Sequence, residues 1–201
     1  MYRFFKLVCI LILNIFSRWK VEGREHIPPQ GPLILVCNHT SYWDPVLVGC
    51  AMTREVRFMA KAELFSIPVL NLILHVVGAF PIKRGQSDRT ALRTALKLLK
   101  DNEVIGIFPE GTRSKTGELL PFKSGVNMLA YKADCPILPM AVINARKVLL
   151  GWWHPVKVIF GKPIFFSFKD SRPSREELEE LNEIIRQAVQ DLLDSQVKVK
   201  A

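Results

Sequence analysis

His39 and Asp44 stand five residues apart in the run Asn38-His39-Thr40-Ser41-Tyr42-Trp43-Asp44, a spacing from which proton transfer can be built. Histidine is the side chain whose ordinary pKa lies nearest neutrality, so an imidazole can take a proton from an alcohol at working pH. A carboxylate reaching back across the loop to the other ring nitrogen would fix the tautomer and stabilise the imidazolium, as it does in hydrolase triads. Asp44 also precedes Pro45, a pattern that reads as a helix N-cap followed by proline at the first helical position; one carboxylate can serve both ends. No Gly-x-Ser-x-Gly elbow supplies a nucleophile, and Ser41 lies only two residues from the histidine. Direct attack by a substrate hydroxyl is therefore favoured over an acyl-Ser41 intermediate.

A second constellation is Phe108-Pro109-Glu110-Gly111-Thr112-Arg113-Ser114. Gly111 lets the backbone turn tightly and aim N–H groups at an anion. Thr112 and Ser114 add hydroxyls, and the fork of the Arg113 guanidinium matches phosphate at two oxygens. Glu110 cannot hold a phosphate; it would orient Arg113 or accept a hydrogen bond from a substrate hydroxyl. Lys61 and Lys83-Arg84-Gly85 close two other apolar segments. Singly, each cation would pass for a solvated surface charge, but His39, Lys61, Arg84 and Arg113 would all stand at strand ends. A general base beside a cationic cradle implies a phosphorylated acceptor alcohol.

The elements that must position these residues follow from the apolar pattern. Leu33–Cys37, Val56–Ala60, Gly78–Lys83, Val104–Phe108, Ile137–Ile143 and Val156–Phe160 are short, mainly apolar runs, long enough for buried strands and too short for helices. Helices are predicted over Asp44–Met52, over Ala62–His75 with an interruption at Pro68, over Asp88–Lys100, over Gly125–Ala133 and, acidic and solvent-facing, over Arg175–Leu193. Continuous apolar strands separated by helices indicate an α/β domain whose sheet is covered on both faces. In such sheets ligands bind where strands end and helices begin, which is where His39 falls.

Charge and hydropathy narrow the setting. The 201 residues carry 28 Lys+Arg against 19 Asp+Glu, and 49% are hydrophobic. Seven acids between Ser174 and Asp194 meet only Arg175 and Arg186, so the body before them is more basic than the total of +9 suggests. A basic, apolar-rich body suits an anionic membrane surface, where each Lys or Arg contributes about 1 kcal/mol. Nucleic acid is not expected as a partner, because no basic helix, zinc pattern or interleaving of aromatic and basic residues supports it. Cys9, Cys37, Cys50 and Cys135 sit in apolar runs without paired spacing, as reduced core residues of a cytoplasmic protein would, and no metal site is expected.

Phe4–Phe16 is apolar except for Lys6 and Asn14, with Arg3 before it and Arg18 and Lys20 after it. It is shorter than the roughly 20 residues that span a bilayer and lacks a signal peptide's cleavage site. It is either an interfacial helix with Trp19 at the headgroup level or a helix packed on the protein's own core; its flanks favour the first. Residues 1–20 are thus expected to be a membrane-associating helix and 21–201 a single domain, with Pro28, Pro29, Gly31 and Pro32 in the linker.

Four blocks, in order, resemble those of the glycerolipid acyltransferases, across roughly Val21 to Pro163. Asn38–Asp44 is similar to the first, Gly78-Ala79-Phe80-Pro81-Ile82-Lys83-Arg84-Gly85 to the second, Phe108–Ser114 to the third and Cys135-Pro136-Ile137-Leu138-Pro139-Met140 to the fourth. Lys61-Ala62-Glu63-Leu64 with Pro68 fits the lysine segment between the first two, and Pro81 departs from the aliphatic or aromatic residue of many members. The resemblance implies a mixed, mostly parallel sheet with flanking helices, preceded by a membrane-docking helix. It implies transfer of a fatty acyl group from acyl-CoA or acyl carrier protein to the free hydroxyl of lysophosphatidic acid, giving phosphatidic acid for phospholipid synthesis, with no cofactor beyond the thioester. Glycerol-3-phosphate or another lysophospholipid is the alternative acceptor, and a non-catalytic lipid-binding role the alternative outside catalysis. By the same resemblance His39 is the general base and Asp44 its partner. Lys61, Arg84, Glu110, Gly111, Thr112 and Arg113 line the acceptor's phosphate and glycerol site, Pro139 shapes the pocket, and the protein works at the cytoplasmic face of the cell membrane.

Overall fold

All six apolar runs form strands, and a seventh that their pattern does not announce joins them. A computed structural model describes residues 1–83, 88–150, 153–167 and 173–195. The strands are β1 (Trp19–Glu22), β2 (Leu33–Cys37), β3 (Val56–Lys61), β4 (Phe80–Ile82), β5 (Val104–Ile107), β6 (Ile137–Ile143) and β7 (Val156–Phe160), and the helices α1 (Tyr2–Phe16), α2 (Asp44–Ala51), α3 (Pro68–Val76), α4 (Arg89–Lys100), α5 (Gly125–Ala133) and α6 (Arg175–Asp194). One seven-stranded sheet runs in the order β1-β7-β6-β2-β5-β3-β4. Every neighbouring pair is parallel except β6 with β7, so the sheet is mixed and mostly parallel, as expected.

The pleat explains why the strands read as unbroken apolar runs. Leu35 and Cys37 of β2 face one way, into a core with Leu47, Val48 and Ala51 of α2 and Leu13 of α1. Ile34 and Val36 face the other way, against Ala95 and Leu99 of α4, Leu129 of α5 and Ile185 of α6. The acidic helix α6 opens with a reciprocal Ser174–Glu177 capping box and buries Leu181, Ile185 and Val189; only its outer side faces solvent. Proline divides the next segment as expected: a 3-10 helix covers Ala62–Ser66 and α3 starts at Pro68. Pro81 sits in β4, opposite Ala60 and at the sheet edge, where a missing N–H is tolerated.

Trp19 needs correction. It opens β1, pairs with Val156 of β7 and donates from Nε1 to Asn14 Oδ1 at 2.7 Å, so it belongs to the sheet edge and not to the N-terminal helix, which ends at Phe16. Four residues with alternating exposure carry too little periodicity to announce a strand; its partner β7 creates it. Helix α1 packs one side on the protein's own core. Leu13 is fully buried, Cys9 and Ile10 pack on the core, Lys6 donates to Met52 O and Tyr2 Oη accepts from Val56 N. Its outer face exposes Phe4, Leu7, Val8, Leu11 and Ile15. None of the described helices is long and apolar enough to cross a membrane.

Candidate active site

Because β2, β5 and β6 are parallel neighbours, their carboxyl ends share one edge of the sheet. Asn38 prolongs β2 there: its Nδ2 donates to Val142 O at 3.0 Å and its Oδ1 accepts from Val142 N at 2.8 Å. A side-chain amide thus replaces backbone pairing where the chain leaves the sheet, and His39 departs from a fixed point. Asp44 does not cap α2; the N-cap is Trp43, without a side-chain bond. Its carboxylate turns back into the loop, where Oδ2 accepts from Thr40 N at 2.7 Å, Ser41 N at 2.7 Å and His39 Nδ1 at 2.8 Å. Those loop N–H groups would otherwise be stranded in a buried turn, which is why they win the carboxylate over the helix end. An ionised carboxylate only accepts, so the ring proton sits on Nδ1 and the lone pair on Nε2.

The imidazole lies on the Phe108 ring, centroids 4.2 Å apart and planes 22° apart, and Phe108 lies in turn over Phe58 at 5.9 Å. Gly106 makes that stack possible. A Cβ there would come within 2.4 Å of Phe58 Cε1. The Ser41 hydroxyl accepts from Trp43 N at 3.2 Å, an ordinary loop contact. Burial pushes the Cys50 and Cys135 thiols up to about 12, which removes them as nucleophiles. Among the described residues, no three His, Cys, Asp or Glu converge as metal ligands would.

The loop after β5 closes onto the histidine loop. Ser114 N donates to His39 O at 2.8 Å. Glu110 is buried and spends both oxygens on backbone: Oε1 accepts from His39 N at 2.6 Å and Oε2 from Leu120 N at 3.0 Å. It therefore ties the two loops together instead of orienting Arg113, and burial raises its carboxyl above the ordinary 4.5. Arg113 lies 3.6 Å over the centre of the Tyr42 ring, and its Nη2 donates to Tyr42 Oη at 2.9 Å. Gly111 has φ of +69° and leaves room for Lys123, whose Cε would lie 2.7 Å from an added Cβ. Thr112 is exposed in the same loop. Lys61 ends β3 on the same sheet edge and pairs with Glu63 at 3.1 Å. Arg84 lies outside the described residues.

A cavity of about 430 Å³ opens beside this site, walled by Met59, Ile107, Phe108, Val126 and Leu129 and reached by Lys83 and Lys123. Phe108 is common to the cavity wall and the His39 stack. Pro139 is not on that wall; it lies inside β6 beside Val36, with Gly161 against its ring. Three residues escaped the sequence pattern: Asn38 as a strand extension, Lys123 and Arg146. The signal for Arg146 was available in its position just past a strand parallel to β2, the same criterion that singles out Lys61 and Arg113.

A buried His–Asp pair at the carboxyl edge of a mostly parallel sheet, closed by the Glu110–Arg113 loop, places the chain among enzymes of acyl transfer. It belongs to the acyltransferase family, whose model matches residues 18–143. The chain is 30% identical over 195 residues, 96% of each chain, to the 1-acyl-sn-glycerol-3-phosphate acyltransferase of Bacillus subtilis. Against a chloroplastic 1-acyl-sn-glycerol-3-phosphate acyltransferase of Brassica napus it is 30% identical over 174 residues, 82% of this chain and 50% of the relative; it thus spans about half of that longer protein. The crystal structure of the 1-acyl-sn-glycerophosphate acyltransferase PlsC from Thermotoga maritima superposes with a TM-score of 0.71 at 28% identity, covering 95% of this chain and 79% of that one.

Proposed function

We propose that this acyltransferase moves a fatty acyl group from a thioester, acyl-CoA or acyl carrier protein, to the free hydroxyl of lysophosphatidic acid, yielding phosphatidic acid for phospholipid synthesis. The observation that carries the reading is the 2.8 Å bond from His39 Nδ1 to a fully buried Asp44, in a loop joined to the one bearing Arg113. Nε2 of His39 takes the hydroxyl proton as the oxygen attacks the thioester carbonyl; Asp44 faces the imidazolium that results. The carbon–sulfur bond then breaks, and the same proton passes to the departing thiolate. Lys61, Arg84 and Arg113 receive the acceptor's phosphate, Gly111 and Thr112 bring backbone and hydroxyl groups to it, and the transferred chain enters the apolar cavity. The exposed face of α1 rests on the cytoplasmic leaflet, drawn by the basic body.

The test is a transfer assay with lysophosphatidic acid, glycerol-3-phosphate and lysophosphatidylglycerol as acceptors, each with both thioester donors. Preferred acylation of lysophosphatidic acid is expected. His39→Ala should lower that rate by ~10²–10⁴. Thioester cleavage that needs no acceptor would reassign the protein as a hydrolase, and full activity of His39→Ala would remove the proposed base.

A further inference from the structure

Three backbone carbonyls of the two site loops converge on one side chain that lies in none of the four sequence blocks. Arg146 sits in the 3-10 turn Ala145–Lys147, just beyond β6. Its Nε donates to Thr40 O at 3.0 Å, its Nη1 to Lys115 O at 2.7 Å and its Nη2 to Ser114 O. Thr40 follows His39, while Ser114 and Lys115 follow Arg113. A single guanidinium therefore spans the loop of the proposed base and the loop of the proposed phosphate ligand, anchored on a third element.

We propose that Arg146 is a positioning residue for acyl transfer, setting the separation between the His39 imidazole and the Arg113 guanidinium. The role rests on the function proposed above. An acceptor held by its phosphate brings its hydroxyl to the base only if that separation is right. A planar fork with donors on three nitrogens suits the task, because carbonyls of two loops cannot bond to one another. The Glu110 bridge to His39 N and the direct backbone link from Ser114 N to His39 O restrain the peptides before and after His39; Arg146 restrains the next peptide along, through Thr40 O. Arg146 is itself exposed, so water can serve the same carbonyls when the side chain is removed. Its loss should disturb geometry far more than stability, and a displacement of about 1 Å costs on the order of 10² in rate.

The experiment compares the full-length wild type with Arg146→Ala and Arg146→Lys in vesicles. Arg146→Ala is expected to lower kcat about tenfold or more, toward 10², with its melting temperature nearly kept. Arg146→Lys should recover little, since an ammonium cannot serve three carbonyls in one plane. Dilute guanidinium, but not methylammonium, should restore part of the Arg146→Ala turnover. In hydrogen exchange, the Ser114 amide should lose protection while amides of α4 and α6 do not. Unchanged kcat, a rise confined to the acceptor's KM, full recovery by lysine, or equal loss of protection across α4 and α6 would each overturn the proposal. Should the wild type fail to acylate lysophosphatidic acid, the function falls by that result alone. The exchange comparison still decides whether Arg146 joins the loops.

Discussion

Replacing Asp44 with asparagine separates the geometry of the His39–Asp44 pair from its charge. Three donors converge on one carboxylate oxygen, Oδ2, at 2.7, 2.7 and 2.8 Å, while Oδ1 accepts nothing among the described residues. In Asp44→Asn the amide must therefore settle with its oxygen where Oδ2 was, because the reverse orientation would set an NH₂ group against three N–H groups. The imidazole keeps its tautomer, with Nε2 still able to accept a proton. What disappears is the negative charge facing the imidazolium. Hydrogen bonds to charged groups contribute ~1.5–3 kcal/mol and neutral ones ~0.5–1.5, so the imidazolium state loses about 1–1.5 kcal/mol relative to the neutral ring. At 1.36 kcal/mol per decade, that is a fall in kcat of about 5- to 13-fold. The new NH₂ group, buried where Oδ1 stood, should cost ~1–3 kcal/mol of stability. Thiol release measured against acceptor concentration gives kcat, and urea unfolding gives the stability. A loss as deep as the ~10²–10⁴ expected for His39→Ala would mean that the tautomer had reversed. An undiminished kcat would mean that the charge does not act on the ring.

Glu110→Gln should leave one of the two N–H groups of His39 and Leu120 without an acceptor, costing ~1–3 kcal/mol and lowering kcat more than the acceptor's KM. Because the Glu110 carboxyl is raised above 4.5 by burial, the folded wild type holds its proton longer than the unfolded chain. Its contribution to stability is greatest below 4.5 and declines as pH rises through the raised value. The destabilisation by Glu110→Gln should therefore be larger in acid than at neutral pH, and a constant difference in unfolding free energy would refute the linkage. Leu7→Glu and Leu11→Glu alter the exposed side of α1. Each should weaken binding to anionic vesicles by about tenfold or more, from ~1.5–3 kcal/mol of lost apolar burial, with activity on detergent-dispersed acceptor retained. Equal loss in both media would place those leucines in the fold's own packing.

The sequence alone determined the strands and helices with strong periodicity, and the types of residue that do the chemistry. Leu33–Cys37 and Val104–Ile107 are legible because a strand buried on both faces must be apolar throughout. His39 and Asp44 are legible because, five positions apart, they are brought together by the local geometry of one loop. The sheet decided the rest. Trp19–Glu22 becomes a strand only through β7, and Asp44 turns toward the loop rather than α2 because unpaired N–H groups wait there. Glu110 joins two loops because His39 N and Leu120 N both reach its carboxylate. Arg146 reaches the site only because β2, β5 and β6 end on one edge. Hydrogen bonds between residues some seventy or a hundred positions apart, such as His39 N to Glu110 and Arg146 to Thr40, leave no periodic trace along a chain. They exist only once strand order has chosen which loops are neighbours.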